Sequence, residues 1–178
     1  MTPAASIRRP DRLDETLLGQ LADVLMDCVE GGASVGFMHP LTRDRALAFW
    51  RFVADAVHEG RRAILVAEDA QGVCGTVQLI LDLPENQPHR ADVAKMLVHR
   101  RARRQGLGAA LMRAVEQAAL ELGRTLLVLD AVTGGDAARL YARLGWVRVG
   151  DVPNFALYPD GRPCGTTYFY RDLRHSPR

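Results

Sequence analysis

Between residues 11 and 30, apolar side chains fall at Leu13, Leu17, Leu21, Val24, Leu25 and Cys28, the spacing of one helix face. Gly31-Gly32 supplies the positive φ that ends such a helix. Thr42 caps a second helix, whose inward face reads Ala46, Trp50, Val53 and Val57 and which Gly60 closes. The period then changes. Residues 62–68 form an apolar run of strand length, 69–72 a turn, and 73–83 the returning strand of a hairpin. A proline-flanked turn at 84–88 leads into a strand over 90–98. Helical spacing returns over 106–122, with Leu107, Leu111, Val115, Ala118 and Leu122 buried and Gly123 as the stop. Residues 125–129 are nearly all apolar, as in a strand covered on both faces, and this strand ends at Asp130. Thr133-Gly134-Gly135-Asp136 opens a short helix over 137–144, stopped by Gly145. Two last strands are expected over 146–151 and 166–172, joined by a Pro- and Gly-rich loop, and Ile7-Arg8 makes a short first strand before Pro10.

This order of helices and strands reads as one α/β domain spanning 1–178, with no repeat, low-complexity tract or linker. Apolar residues make up 48% and charged residues 25%, the balance of an ordinary globular core and surface. A net charge of +2 argues against a nucleic-acid binder that works by overall charge. No run reaches the roughly 20 apolar residues that span a bilayer, and residues 1–11 show no apolar leader segment. Cys28, Cys74 and Cys164 form no C-x-x-C pair, and the five histidines show no ligand spacing, so no metal site is expected. The plain expectation is a cytoplasmic protein with reduced thiols.

Positive charge is carried almost wholly by arginine; Lys95 is the only lysine. Four arginines, Arg100, Arg101, Arg103 and Arg104, crowd between the strand ending at Val98 and the helix entered through Gly106-Leu107-Gly108. A strand, a basic glycine loop and a helix N-terminus in that order build an anion site, because the first helical amides lack partners and the macrodipole is positive there. A phosphate-bearing cofactor is expected between Arg103 and Ala109. A P-loop is excluded by the absence of lysine after the glycine, and a dinucleotide fingerprint by Leu111 in place of the third glycine.

The remaining pattern, Val98-x-x-x-x-Arg103-x-x-Gly106-x-Gly108, is similar to the pyrophosphate loop of the GNAT acetyltransferase superfamily. Leu140-Tyr141-Ala142-Arg143-Leu144-Gly145-Trp146 resembles that family's Leu-Tyr…Leu-Gly-Phe segment some thirty residues downstream. One departure is Gly134, seven residues before the tyrosine, where the family often has asparagine. A narrower resemblance, to the tabtoxin resistance proteins, lies in residues 31–38, in Arg90-Ala91-Asp92-Val93 with Lys95-Met96, and in Pro159-Asp160-Gly161-Arg162.

The resemblance implies a GNAT fold: a mixed, mostly antiparallel, splayed sheet of six to seven strands with helices on both faces. It implies acetyl-CoA as cosubstrate, held by Met96, Leu97, Val98, Arg103, Arg104, Gln105, Gly106, Leu107, Gly108, Ala109 and Ala137. The acceptor would be a primary amine of a small molecule, a tabtoxin-like β-lactam amino acid first, touching Ser34, Val35, Gly36 and Phe37. Tyr141 would protonate the leaving thiolate. An attacking amine must also lose a proton. Asp92, placed by strict alternation on one face with Ala94, Met96 and Val98, and Asp130 are the carboxylates for that task or for holding the ammonium. Other small amines, a protein N-terminus, or a non-catalytic acyl-CoA sensor are the competing readings. No nucleic-acid or membrane partner is expected, and the chain would act as a monomer or homodimer.

Overall fold

A computed structural model describes residues 5–175. The stretch read for a leader segment lies partly outside them. Seven strands form one sheet: β1 (Ser6–Arg8), β2 (Arg62–Asp69), β3 (Gly72–Ile80), β4 (Arg90–Val98), β5 (Leu126–Val132), β6 (Val147–Leu157) and β7 (Pro163–Asp172), in the order β1-β2-β3-β4-β5-β7-β6. Every pairing is antiparallel except β4 with β5. Helices α1 (Glu15–Glu30) and α2 (Arg43–His58) cover one face; α3 (Leu107–Glu121) and α4 (Asp136–Arg143) lie on the other.

The helix boundaries follow the capping chemistry. Asp14 caps α1 by accepting from the Leu17 amide at 2.8 Å, and Thr42 caps α2 by accepting from Arg45 at 3.3 Å. Two cores result, one on each side of the sheet. Leu21, Leu25, Trp50, Val53, Ile64 and Val66 fill the α1–α2 side. Leu65, Val77, Leu79, Leu111, Met112, Val115 and Leu127 fill the α3 side. The alternation of β2 and β3 between these cores fixes their register, since a one-residue slip would turn each set outward.

The returning hairpin strand ends at Ile80 rather than at 83, and three larger features also differ from the sequence expectation. First, β5 does not end at Asp130. It runs to Val132 because β7 stays paired with it through Val132↔Thr166. Second, most of the loop expected between the last strands is hairpin: β6 continues to Leu157 and turns at Tyr158–Arg162, with a register shift between Val152 and Ala156 where Asn154 takes φ 52°. Third, β4 bulges. Gln78 pairs with Ala94 but Thr76 with Leu97, so three steps on β4 match two on β3, and Lys95 takes φ 50°. The extra residue inverts the alternation. Met96 and Val98 pack on the α3-side core, whereas Leu97 packs on the α1–α2 core. Asp92, opposite in parity to the α3-side residues Ala91 and Val93, therefore does not share a face with Met96 and Val98.

Among the described residues no helix is long and apolar enough to cross a membrane.

Candidate active site

The one parallel pairing in the sheet is short. β4 and β5 are joined at Arg90↔Leu126, Ala91↔Leu127 and Asp92↔Val128, and they part beyond that point. Among the described residues, β4 has no parallel strand partner from Val93 onward. The result is a cleft of about 1430 Å³ between the strands, walled by Val93–Val98 on one side and Leu129–Val132 on the other. The N-termini of α3 and α4 open onto it on one face of the sheet, and the loop at 31–36 borders it on the other.

Met96, Leu97, Val98, Arg103, Arg104, Gly106, Leu107, Gly108, Ala109 and Ala137 all line this cleft. Gln105 does not; its side chain donates to the Arg101 carbonyl at 3.1 Å. The helix is entered through two left-handed residues, Arg104 (φ 60°) and Gly106 (φ 80°), and no side chain caps α3. Its first intrahelical bond is made by the Ala110 amide, so those of Leu107, Gly108 and Ala109 remain available for an anion. The two glycines serve different ends. Gly106 needs its positive φ, whereas a Cβ on Gly108 would stand 3.1 Å from Leu140 Cδ2, so this glycine lets α4 pack against α3.

Three of the four loop arginines hold the loop. The Arg100 amide donates to Asp27 Oδ2 at 2.8 Å and its Nε to Oδ1, while Arg103 lies 3.6 Å from the same carboxylate. Arg103 Nε also donates to the Val98 carbonyl at 2.9 Å. Arg101 binds Asp69 at 3.0 Å and the carbonyls of Gly72 and Val73. Only Arg104 has no carboxylate partner, and it is joined at the cleft by Arg113 and Arg143, which sequence reasoning missed. The free amides and these three guanidiniums suit a diphosphate-bearing cosubstrate. Asp27 was also missed. It is buried on α1, 73 residues from its partner Arg100, and no local signal marks it.

At the other end, Asp130 is exposed and lines the β5 wall. Its Oδ2 accepts from Thr166 Oγ1 at 2.7 Å, which fixes its orientation. Tyr141 on α4 also lines the cleft, with its ring packed against Trp146 and Phe169 at 6.0 Å. Burial, and secondarily the Asp130 charge, push its phenol well above the ordinary tyrosine value. It stays protonated. Asp92 stands apart from the cleft lining and is ion-paired with Arg90, which Gln87 also holds.

Ser34, Val35 and Gly36 border the cleft, and the Ser34 hydroxyl donates to the Leu157 carbonyl at 2.7 Å. Phe37 instead packs edge-on against Phe49 of α2 at 5.3 Å. Lys95, Phe155 and Tyr158 complete this end and were not foreseen.

The comparisons with known proteins agree with this architecture. The family description "acetyltransferase (GNAT) domain" matches residues 60–148, half of the chain, taking in β2 to the start of β6 and both cleft strands. Among solved structures, yncA from Salmonella typhimurium, solved with its cofactor acetyl-CoA, is 19% identical with a TM-score of 0.77, over 98% of this chain and 97% of that one. The ribosomal-protein-alanine N-acetyltransferase from Brucella melitensis is 20% identical with a TM-score of 0.79, over 94% and 99%. A GCN5-related N-acetyltransferase from Kribbella flavida is 24% identical with a TM-score of 0.76, over 96% and 98%.

Proposed function

Because the chain belongs to the GNAT acetyltransferase family, we propose that it transfers the acetyl group of acetyl-CoA to a primary amine of a small molecule, by direct attack in a ternary complex. The observation that carries this reading is the parting of β4 from β5 beyond Asp92↔Val128, with Tyr141 and Asp130 on the walls of the gap. Acetyl-CoA supplies the activated acyl group. The α3 amides and Arg104, Arg113 and Arg143 hold its phosphates, and unpaired β4 amides near Met96–Val98 polarise the thioester carbonyl as charge develops on its oxygen.

Asp130 takes up the ammonium end of the acceptor and receives its proton, directly or through water. The freed amine then attacks the carbonyl carbon; a C–N bond forms, the C–S bond breaks, and the electron pair leaves on sulfur. Tyr141 meets that sulfur. A phenol raised above its usual value of about 10 does not readily give its proton to a thiolate of pKa near 8.5. Its part is therefore to donate a hydrogen bond to the departing thiolate, with net protonation following from the proton the amine releases. Asp92, held by Arg90 outside the cleft lining, is left with an electrostatic part.

A β-lactam amino acid of the tabtoxin kind is the first acceptor to try, on the strength of the 31–38 stretch, part of which borders the cleft. The test is two-substrate initial-rate kinetics by thiol release. Intersecting reciprocal plots support direct transfer; parallel plots would indicate a covalent acyl-enzyme instead.

A further inference from the structure

The acceptor end of the cleft holds a cation that the transfer chemistry above leaves unused. Lys95, the chain's only lysine, occupies the β4 bulge and lines the cleft. The bulge carries its side chain to the α1–α2 face. Nζ lies 5.7 Å from the centre of the Phe49 ring and 3.7 Å from where a Cβ at Gly36 would stand. Among the described residues it has neither an ion-pair partner nor a hydrogen-bond acceptor.

Two charged groups act on it, Arg62 from β2 and Asp130 from β5. Arg62 is itself a cation without a carboxylate partner; it donates to Gln78 Oε1 at 2.7 Å and lies over the Phe52 ring. Asp130 belongs to the opposite wall. It is two residues beyond the last β4–β5 pair, as Lys95 is three residues beyond it, so both stand roughly 7–10 Å up the diverging strands at about 3.3 Å per residue. Burial, with Arg62 adding to it, disfavours the charged ammonium, and Asp130 only partly offsets this. A half-buried cation so placed, still open to the cleft, gains a charge-assisted contact from an incoming anion. The phosphates of the cosubstrate have their own cations at the α3 end, which leaves Lys95 for the acceptor.

We propose that Lys95 is a specificity-determining residue that anchors a carboxylate of the acceptor, so that the preferred acceptors are amino acids or similar zwitterions, with the carboxylate at Lys95 and the ammonium at Asp130. This rests on the acyl-transfer reading and narrows it, because an uncharged amine of the same size would leave Lys95 unsatisfied.

The test compares kcat/KM for pairs of amines that differ only in the carboxylate, such as an amino acid, its primary amide and its decarboxylated amine. The wild-type enzyme should favour the carboxylate member by about 30-fold, the worth of one charge-assisted contact. Lys95→Met should bring that ratio to within about threefold of one, and Lys95→Arg should keep most of it. Equal turnover of both members by the wild type, or equal slowing of both in Lys95→Met, overturns the assignment while leaving acyl transfer intact. If Lys95→Met does not fold, Lys95→Gln, which keeps a long polar side chain without the charge, should collapse the ratio in the same way, and a ratio unchanged from wild type in it overturns the assignment. Absence of thiol release with every amine overturns the acyl-transfer reading, and this assignment with it.

Discussion

Asp27 offers a way to separate the arginines that build the loop from Arg104, the loop arginine proposed above to bind the cosubstrate. Its carboxylate, 8% exposed, accepts from the Arg100 amide and guanidinium, with Arg103 at 3.6 Å and His99 at 3.7 Å. Asp27→Asn keeps the shape and one acceptor but removes the charge. A hydrogen bond to a charged group contributes about 1.5–3 kcal/mol. The Arg100 and Arg103 side chains are 54% and 43% exposed, so solvent takes up part of the loss. A net destabilisation of about 2 kcal/mol is expected after that discount. For a domain of this size that lowers Tm by about 4–8 °C. The loop also positions Arg104 and the first amides of α3, so acetyl-CoA affinity should fall about threefold to tenfold as well. Arg104→Ala gives the opposite pattern: Tm within about 1 °C of wild type, because the exposed side chain has no carboxylate partner, with affinity down about tenfold. Scanning calorimetry of the free protein and titration calorimetry with acetyl-CoA read both quantities. Wild-type melting of Asp27→Asn, or destabilised Arg104→Ala that binds acetyl-CoA normally, would refute the division of roles.

Tyr141→Phe keeps the ring contacts with Trp146 and Phe169 and removes only the hydroxyl that would donate to the departing thiolate, so kcat should fall about 100-fold with CoA affinity nearly unchanged; a parallel loss of affinity in titration calorimetry would mean a packing role. Asp130→Asn retains an acceptor for Thr166 but no base, and kcat/KM for the amine should drop about 10- to 100-fold in a thiol-release assay, while an unchanged value would move base function elsewhere. The hydrogen bond from Arg101 holds Asp69 below the ordinary carboxylate range. Its stabilisation is therefore fully present above the unfolded value of about 4 and is lost as pH falls through the lower folded value. Asp69→Asn should flatten the acid limb of the Tm–pH profile below about pH 4; a limb identical to wild type would contradict this.

The elements with strong periodicity were legible in the chain. α1, α2 and α3 bury most of the faces their spacing indicates, except that Leu122 lies exposed just past α3 and Val57 on α2 is only half-buried; the Gly106–Gly108 entry to α3 borders the cleft. What escaped was long-range or unsigned. The β4 bulge falls at Lys95, a residue with no glycine-like preference for positive φ, so strict alternation misplaced Asp92 relative to Met96 and Val98. The roles of the arginines depend on Asp27 and Asp69, which lie 73 and 32 residues away from Arg100 and Arg101, beyond any local pattern. β6 outran its expected length because Pro153 and Asn154 sit at a register shift in an edge strand, where a missing donor and a positive φ are tolerated. Asp130 looked like a strand end because the apolar run stops there; its pairing with Tyr168 on β7 continues the strand through a polar position facing the cleft.

The central claim is that the gap between β4 and β5 carries out acetyl transfer rather than merely holding an acyl-CoA. A single-turnover experiment addresses it directly: protein saturated with acetyl-CoA is mixed with a carboxylate-bearing primary amine, and free thiol and acetylated amine are followed together. The account predicts release of one thiol per cleft, matched by one acetylated acceptor, with the same amplitude reached about 100-fold more slowly in Tyr141→Phe. Tight binding of acetyl-CoA with no thiol released in the presence of any amine would contradict it and leave a binding module in its place.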